Sequence, residues 1–157
     1  MVDLVFQYRT LIGKCELGMG LDWDEIQQVG AIETQFTLPS YKPRRKRGAR
    51  RFRREVVSIS ATVHGARKDD RVELIELGPE GFVIRNAPYI ARGEIVELVI
   101  DIDDVSYRFS ACGVWLKDEV DSDDFRIGLN VIGMPVCVRK TQIREHTGEI
   151  VNRQIAA

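Results

Sequence analysis

Between Val56 and Ile132 the chain reads as a run of short extended segments separated by turn residues, with no room for a helix between them. "VVSISATVH" (56–64) alternates, placing Val57, Ile59, Ala61 and Val63 on one face. The turn "GARKDD", the extended "RVELIEL", the turn "GPEG" and the short "FVIRN" follow. Next come "EIVELVIDI", an acidic turn at Asp103 and Asp104, the long alternating "VSYRFSACGVWL", the acidic loop "KDEVDSDD", and "FRIGLNVI". Six strands at this spacing predict a small antiparallel barrel or sandwich. Strands do not alternate with helices, which disfavours a doubly wound nucleotide-binding sheet.

The flanks read differently. In "DWDEIQQVGAIETQF" (22–36), Trp23, Ile26, Val29, Ile32 and Phe36 recur at helical spacing and predict one packed face. Asp22 is placed to cap this helix, with Glu25 completing a capping box, while Gly30 weakens it. "TLPSYKP" breaks the helix with two prolines. After Pro135, Ile143, Ile150, Val151 and Ile155 could line a C-terminal helix interrupted by Gly148. The expected organisation is a helical extension (1–41), a basic linker (42–54), a barrel (55–134) and a tail (135–157).

Charge is sorted along the chain. Lys42 to Arg54 carries nine basic and no acidic residues, whereas Glu94 to Asp124 carries ten acidic residues and two basic ones, Arg108 and Lys117. The formal net charge is only −1, which argues against a broad nucleic-acid-coating face and for a small, locally bound anion. With 157 residues and 44% hydrophobic content, the chain suffices for one domain with modest extensions. Its start, "MVDLVFQYRT", lacks the features of a secretory signal, and no apolar run approaches the ~20 residues of a spanning helix, so a cytoplasmic protein without membrane insertion is expected. Cys15, Cys112 and Cys137 show no metal or disulfide spacing and are expected to be buried small hydrophobes. His64 and His146 form no evident catalytic pair, and the acidic loop 118–124 lacks calcium-loop spacing. A non-catalytic protein with no cofactor or metal is expected.

With the strands placed, the basic run immediately precedes the first, and "ELGPEG" joins the second to the third. This arrangement resembles the PilZ domain, the bacterial receptor module for cyclic di-GMP. An RxxxR motif falls on Arg50 and Arg54 in "RRFRR", and the family's (D/N)xSxxG motif falls on Glu76, Gly78 and Gly81 in "IELGPEGFVI". "RGEIVELVI" and "FRIGLNVIG" are similar to two further strands of the family, so the resemblance covers residues 50–133. It implies a six-stranded antiparallel barrel and a cyclic di-GMP site formed by Arg50, Arg51, Arg53, Arg54, Glu76, Gly78 and Gly81. It also implies a regulatory protein partner through which motility or surface behaviour is controlled.

The residue types suit that ligand. A guanidinium matches phosphate oxygens bidentately, pairs with the O6/N7 edge of guanine, and stacks on its face. Two departures stand out: Glu76 replaces the shorter acid or amide, and Gly78 replaces serine. A lost hydrogen bond costs roughly 1–3 kcal/mol, enough to weaken binding. Three alternatives therefore stand beside the nucleotide: a barrel that keeps only the protein partner, a basic run that is merely a solvated linker, and a nucleic-acid binder. The last is disfavoured by the few aromatics in the run.

Overall fold

A computed structural model describes residues 1–37, 52–65 and 69–140. Two helices, α1 (Val2–Glu16) and α2 (Trp23–Phe36), precede six strands: β1 (Glu55–His64), β2 (Asp69–Leu77), β3 (Gly81–Ala87), β4 (Ile95–Ile102), β5 (Val105–Asp118) and β6 (Phe125–Arg139). Every strand pairing is antiparallel, and the order β1-β2-β3-β6-β5-β4 closes on itself as a barrel. Closure rests on a short seam that pairs Thr62, Val63 and His64 of β1 with Val99, Leu98 and Glu97 of β4. The expected strand segments are all present, and the barrel decides between the two all-β architectures.

Alternation explains most of the interior. Leu74, Ile84, Leu98, Ile100, Phe109, Ile127 and Leu129 are fully buried, and the Phe82 and Phe109 rings meet edge-to-face at 5.1 Å. Strict alternation fails once in β2, where it matters. The register against β3 slips between Leu74 and Glu76, opening a bulge at Ile75. Because of it Leu77 turns into the core and Glu76 faces outward; unbulged pairing would reverse them.

β6 runs through Pro135 to Arg139, past the expected barrel boundary at residue 134. Opposite β5 the register jumps from Arg108↔Val136 to Ser110↔Ile132, leaving Gly133, Met134 and Pro135 as a bulge. Gly133 adopts φ 63°, and proline, lacking an N–H, sits outside the ladder. This bulge docks α1. Arg9 Nη2 donates to the Gly133 carbonyl at 3.2 Å, and Gly13 lies against Met134. The helix buries Val2, Val5, Tyr8 and Leu11, three residues apart, and Phe6 reaches the rings of Tyr107 and Phe109. Barrel and helices thus share one core.

In α2 the capping box forms as expected: the Asp22 carboxylate accepts from Glu25 N–H, and Glu25 accepts from Asp22 N–H. Lys14 of α1 also donates to Glu25. That ammonium holds the Glu25 carboxyl below its usual range. A carboxyl depressed by folding stabilises above its unfolded pKa, so this clasp is lost as pH falls through the depressed value.

Two expectations need correction. The helical period in α2 is right, but only Ile32 and Phe36 are buried; Val29 is half-buried, and Trp23 and Ile26 are exposed. The apolar stripe is wider than the surface its C-terminal turns can cover. The cysteines are not buried hydrophobes either: Cys15, just before the α1 end, and Cys137, beyond the β6 bulge, are exposed, and Cys112 is half-buried. The expected C-terminal helix lies outside the described residues.

Gly30 sits in the interior of α2 without positive φ, and a Cβ there would meet no described atom within 4 Å. Gly30→Ala should therefore stabilise the protein by about 1 kcal/mol, read as a higher midpoint in urea at unchanged slope.

Candidate functional site

Residues 52–54 enter β1 under tight local control. Phe52 is buried, bridges to Thr37 in antiparallel fashion, and meets the Tyr8 ring edge-on at 5.9 Å. Arg53 N–H donates to the Phe36 carbonyl at 2.7 Å, and its Nε donates to the Gln35 carbonyl at 3.0 Å. These are last-turn carbonyls of α2, which have no partner within the helix and carry its negative dipole end. The Arg53 guanidinium also pairs with Glu55 at 3.0 Å. Arg53 is thereby committed to the helical extension.

Arg54 points elsewhere. Its side chain, 14% exposed, runs along the β2–β3 turn, with Nη1 3.6 Å from Glu76 Oε2. Gly78 and Gly81 close that turn by reciprocal backbone bonds across Pro79 and Glu80, and the Glu80 carbonyl accepts from Val131 N–H. Neither glycine has positive φ. Both are needed for space. A Cβ at Gly78 would stand 3.1 Å from Arg54 Cγ and 3.2 Å from the Arg53 carbonyl oxygen. One at Gly81 would collide with the Leu129 carbonyl oxygen and stand 3.4 Å from Arg54 Nη2. The two glycines form a track on which the arginine lies. Gly81→Ala should cost about 1–3 kcal/mol, because relief requires moving β6 backbone, and thermal denaturation would register the loss.

Asn130, the β6 partner of Gly81, completes the site; its Oδ1 is also 3.4 Å from the Gly81 Cβ position. Phe52, Arg53, Arg54, the turn 78–81 and Asn130 line a pocket of about 170 Å³. Of the seven expected site residues, Arg54, Glu76, Gly78 and Gly81 come together here. Arg53 lines the pocket while its guanidinium faces α2 and Glu55, and Arg50 and Arg51 lie outside the described residues. Phe52, Pro79, Glu80 and Asn130 were not anticipated as site residues. Asn130 was legible in principle, since Leu129 and Val131 face inward and the residue between them must face out.

Among the described residues no group of three or more His, Cys, Asp or Glu side chains could hold a metal, and no helix is long and apolar enough to cross a membrane. A guanidinium beside a turn, an amide and open solvent can receive an anion or the acceptor edge of a base.

The closed six-stranded antiparallel barrel agrees with the fold that the sequence resemblance implies. Among solved structures the chain is similar to that of the Bacillus subtilis inhibitor of motility (MotI/DgrA), with 13% identity and a TM-score of 0.47 over 73% of this chain. The match spans 57% of that protein's length. No protein-family model and no curated protein sequence matches the chain.

Proposed function

We propose that the chain is a non-catalytic PilZ-type module that binds cyclic di-GMP at the Arg54 track and signals through a protein partner. In the family this resembles, such modules regulate motility or surface behaviour. One observation carries the reading: Arg54 of the first motif lies along Gly78 and Gly81 of the second, although Gly81 is far from it in sequence. The described pocket is smaller than the ~300–1,000 Å³ that encloses a drug-sized ligand. It therefore suits one phosphate and one base edge, with Arg50 and Arg51 proposed to supply the rest. Arg53 ties the same segment to α2, which gives ligand binding a route to the helical extension. A ligand shifts that arrangement only by favouring one state over another.

Equilibrium dialysis with labelled cyclic di-GMP, competed by a long oligonucleotide at rising salt, tests the reading. Retention of the dinucleotide at salt that releases the oligonucleotide supports it; oligonucleotide binding with a steep salt slope and no dinucleotide retention contradicts it.

A second reading is favoured by the contacts of Gly78 and Glu76: a barrel that serves a protein partner without nucleotide. Arg54 Cγ occupies the space beside Gly78 that a serine side chain would need, and Glu76 engages the arginine a phosphate would use. Glu76→Asp separates the two. Retracting the carboxylate by one methylene loosens its hold on Arg54, and because a 3.6 Å pair with a partly exposed carboxylate is worth less than about 1 kcal/mol, affinity for cyclic di-GMP should rise by no more than about fivefold. Gly78→Ser added to it must first displace Arg54 by a few tenths of an ångström, so the double variant should gain less than an independent hydroxyl would supply. A parent that is silent while Glu76→Asp binds would favour the adaptor.

A further inference from the structure

Two large apolar side chains of α2 stand in solvent among polar neighbours such as Asp24, Gln27 and Gln28. Trp23 is 71% exposed and Ile26 49%, and on the connecting loop Leu17 and Met19 are 69% and 66% exposed. Scattered surface hydrophobes are ordinary, but four within the ten residues from Leu17 to Ile26 point to an interaction site. Tryptophan in particular anchors interfaces.

Gly30 extends the same face. Trp23, Ile26 and Gly30 stand at i, i+3 and i+7 and so line up along the helix. Nothing among the described residues approaches Gly30, so packing among them does not call for a residue that weakens the helix. A bare backbone on an outward face lets another chain come close there.

Charge selects the visitor. From Cys15 to Tyr41 there are five acidic residues and no basic one. Glu16, Asp22 and Asp24 lie beside the exposed apolar residues in sequence and are themselves exposed; Glu16 shares its charge with Arg9 at 3.7 Å, Asp22 caps α2, and Lys14 at the edge is paired with Glu25. An anionic rim repels acidic proteins and anionic bilayers and attracts a cationic surface.

We propose that this corner docks a cationic amphipathic helix of a partner protein. The partner's apolar face would seat on Trp23 and Ile26 with close approach at Gly30, and its lysines or arginines would face Glu16, Asp22 and Asp24. The proposal rests on the partner half of the functional reading and is independent of the nucleotide half. A negative dinucleotide titration leaves its test unchanged.

The test uses the full chain and two fluorescein-labelled helical peptides, one Leu/Lys and one Leu/Glu, with the same apolar face. Anisotropy at physiological salt should show saturable binding of the Leu/Lys peptide and none of the Leu/Glu peptide. Trp23→Ala and Gly30→Gln should each weaken binding about tenfold or more, while Gly30→Gln leaves the unfolding midpoint unchanged or higher. That separation would not arise from a purely structural role. Equal binding of both peptides, absence of binding by the folded chain, or Leu/Lys binding that survives Trp23→Ala would overturn the proposal. Survival would place the attraction elsewhere, for example at the acidic 118–124 loop. Concentration-dependent self-association abolished by Trp23→Ala would make a second copy the occupant and overturn it equally.

Discussion

Arg54→Ala should lower affinity for cyclic di-GMP about 100-fold, ~2.8 kcal/mol, while leaving the barrel folded. The magnitude follows from the loss of a charged fork able to make two hydrogen bonds to phosphate or guanine. Stability should change little, because the Arg54–Glu76 pair is long at 3.6 Å and the Glu76 side chain is 38% exposed. Neighbouring substitutions sharpen the reading. Lys42→Ala, in the linker, should have little effect. Arg53→Ala should loosen the helical extension by removing the Nε–Gln35 bond, and should affect the ligand less than Arg54→Ala does. Equal small losses from every basic residue would indicate diffuse electrostatics instead of a site.

Phe52→Ala should be the most destabilising single change considered, at about 3–5 kcal/mol. The ring is 2% exposed, fills the junction between α1, α2 and the barrel, and contacts Tyr8 edge-on. Its removal leaves a cavity where the N-terminal helices meet the strands. The same change should weaken ligand binding without removing a charge, because Phe52 fixes where Arg53 and Arg54 emerge. Chemical denaturation and a cyclic di-GMP titration on one sample would read both effects. Phe52→Leu, which keeps most of the volume, should recover much of each. If Phe52→Ala destabilised the protein but left affinity intact, the arginine segment would be positioned by something other than this anchor.

The parts of the fold that sequence predicted are those governed by local alternation. Val57, Ile59, Ala61 and Val63 share the inward side of β1, and the turns at 78–80 and 103–104 fall where expected, whereas Asp69 and Asp70, read as turn residues, begin β2. Where long-range packing overrides local pattern, reading by period failed. The slip at Ile75 is invisible in "RVELIEL", yet it puts Glu76 outside beside Arg54. Pro135 resembles a terminator until the β6 bulge that houses it is known. Trp23 and Ile26 obey the helical period but exceed the surface available to bury them. The spacing of Val2, Val5, Tyr8 and Leu11 marks α1, although "MVDLVFQYRT" on its own invites only the question of a secretory signal.

The candidate site was half legible for the same reason. Motif order placed Arg54, Glu76, Gly78 and Gly81 together, and they are together. The reason for the glycines was legible only as a pair of options, positive φ or close approach, and the structure selects close approach. That Asn130 faces outward is legible in its own strand, but that it stands opposite Gly81 needed the β3–β6 register, and Phe52 needed its bridge to Thr37, neither of which is encoded within a single segment.

Titration calorimetry of the full chain with cyclic di-GMP tests the central claim most directly, run beside Arg54→Ala under identical conditions. The account predicts saturable heat from the parent and an affinity about 100-fold lower for the variant. Heat that is equal for both proteins, or none from a parent verified as folded, would contradict a nucleotide site on the Arg54 track.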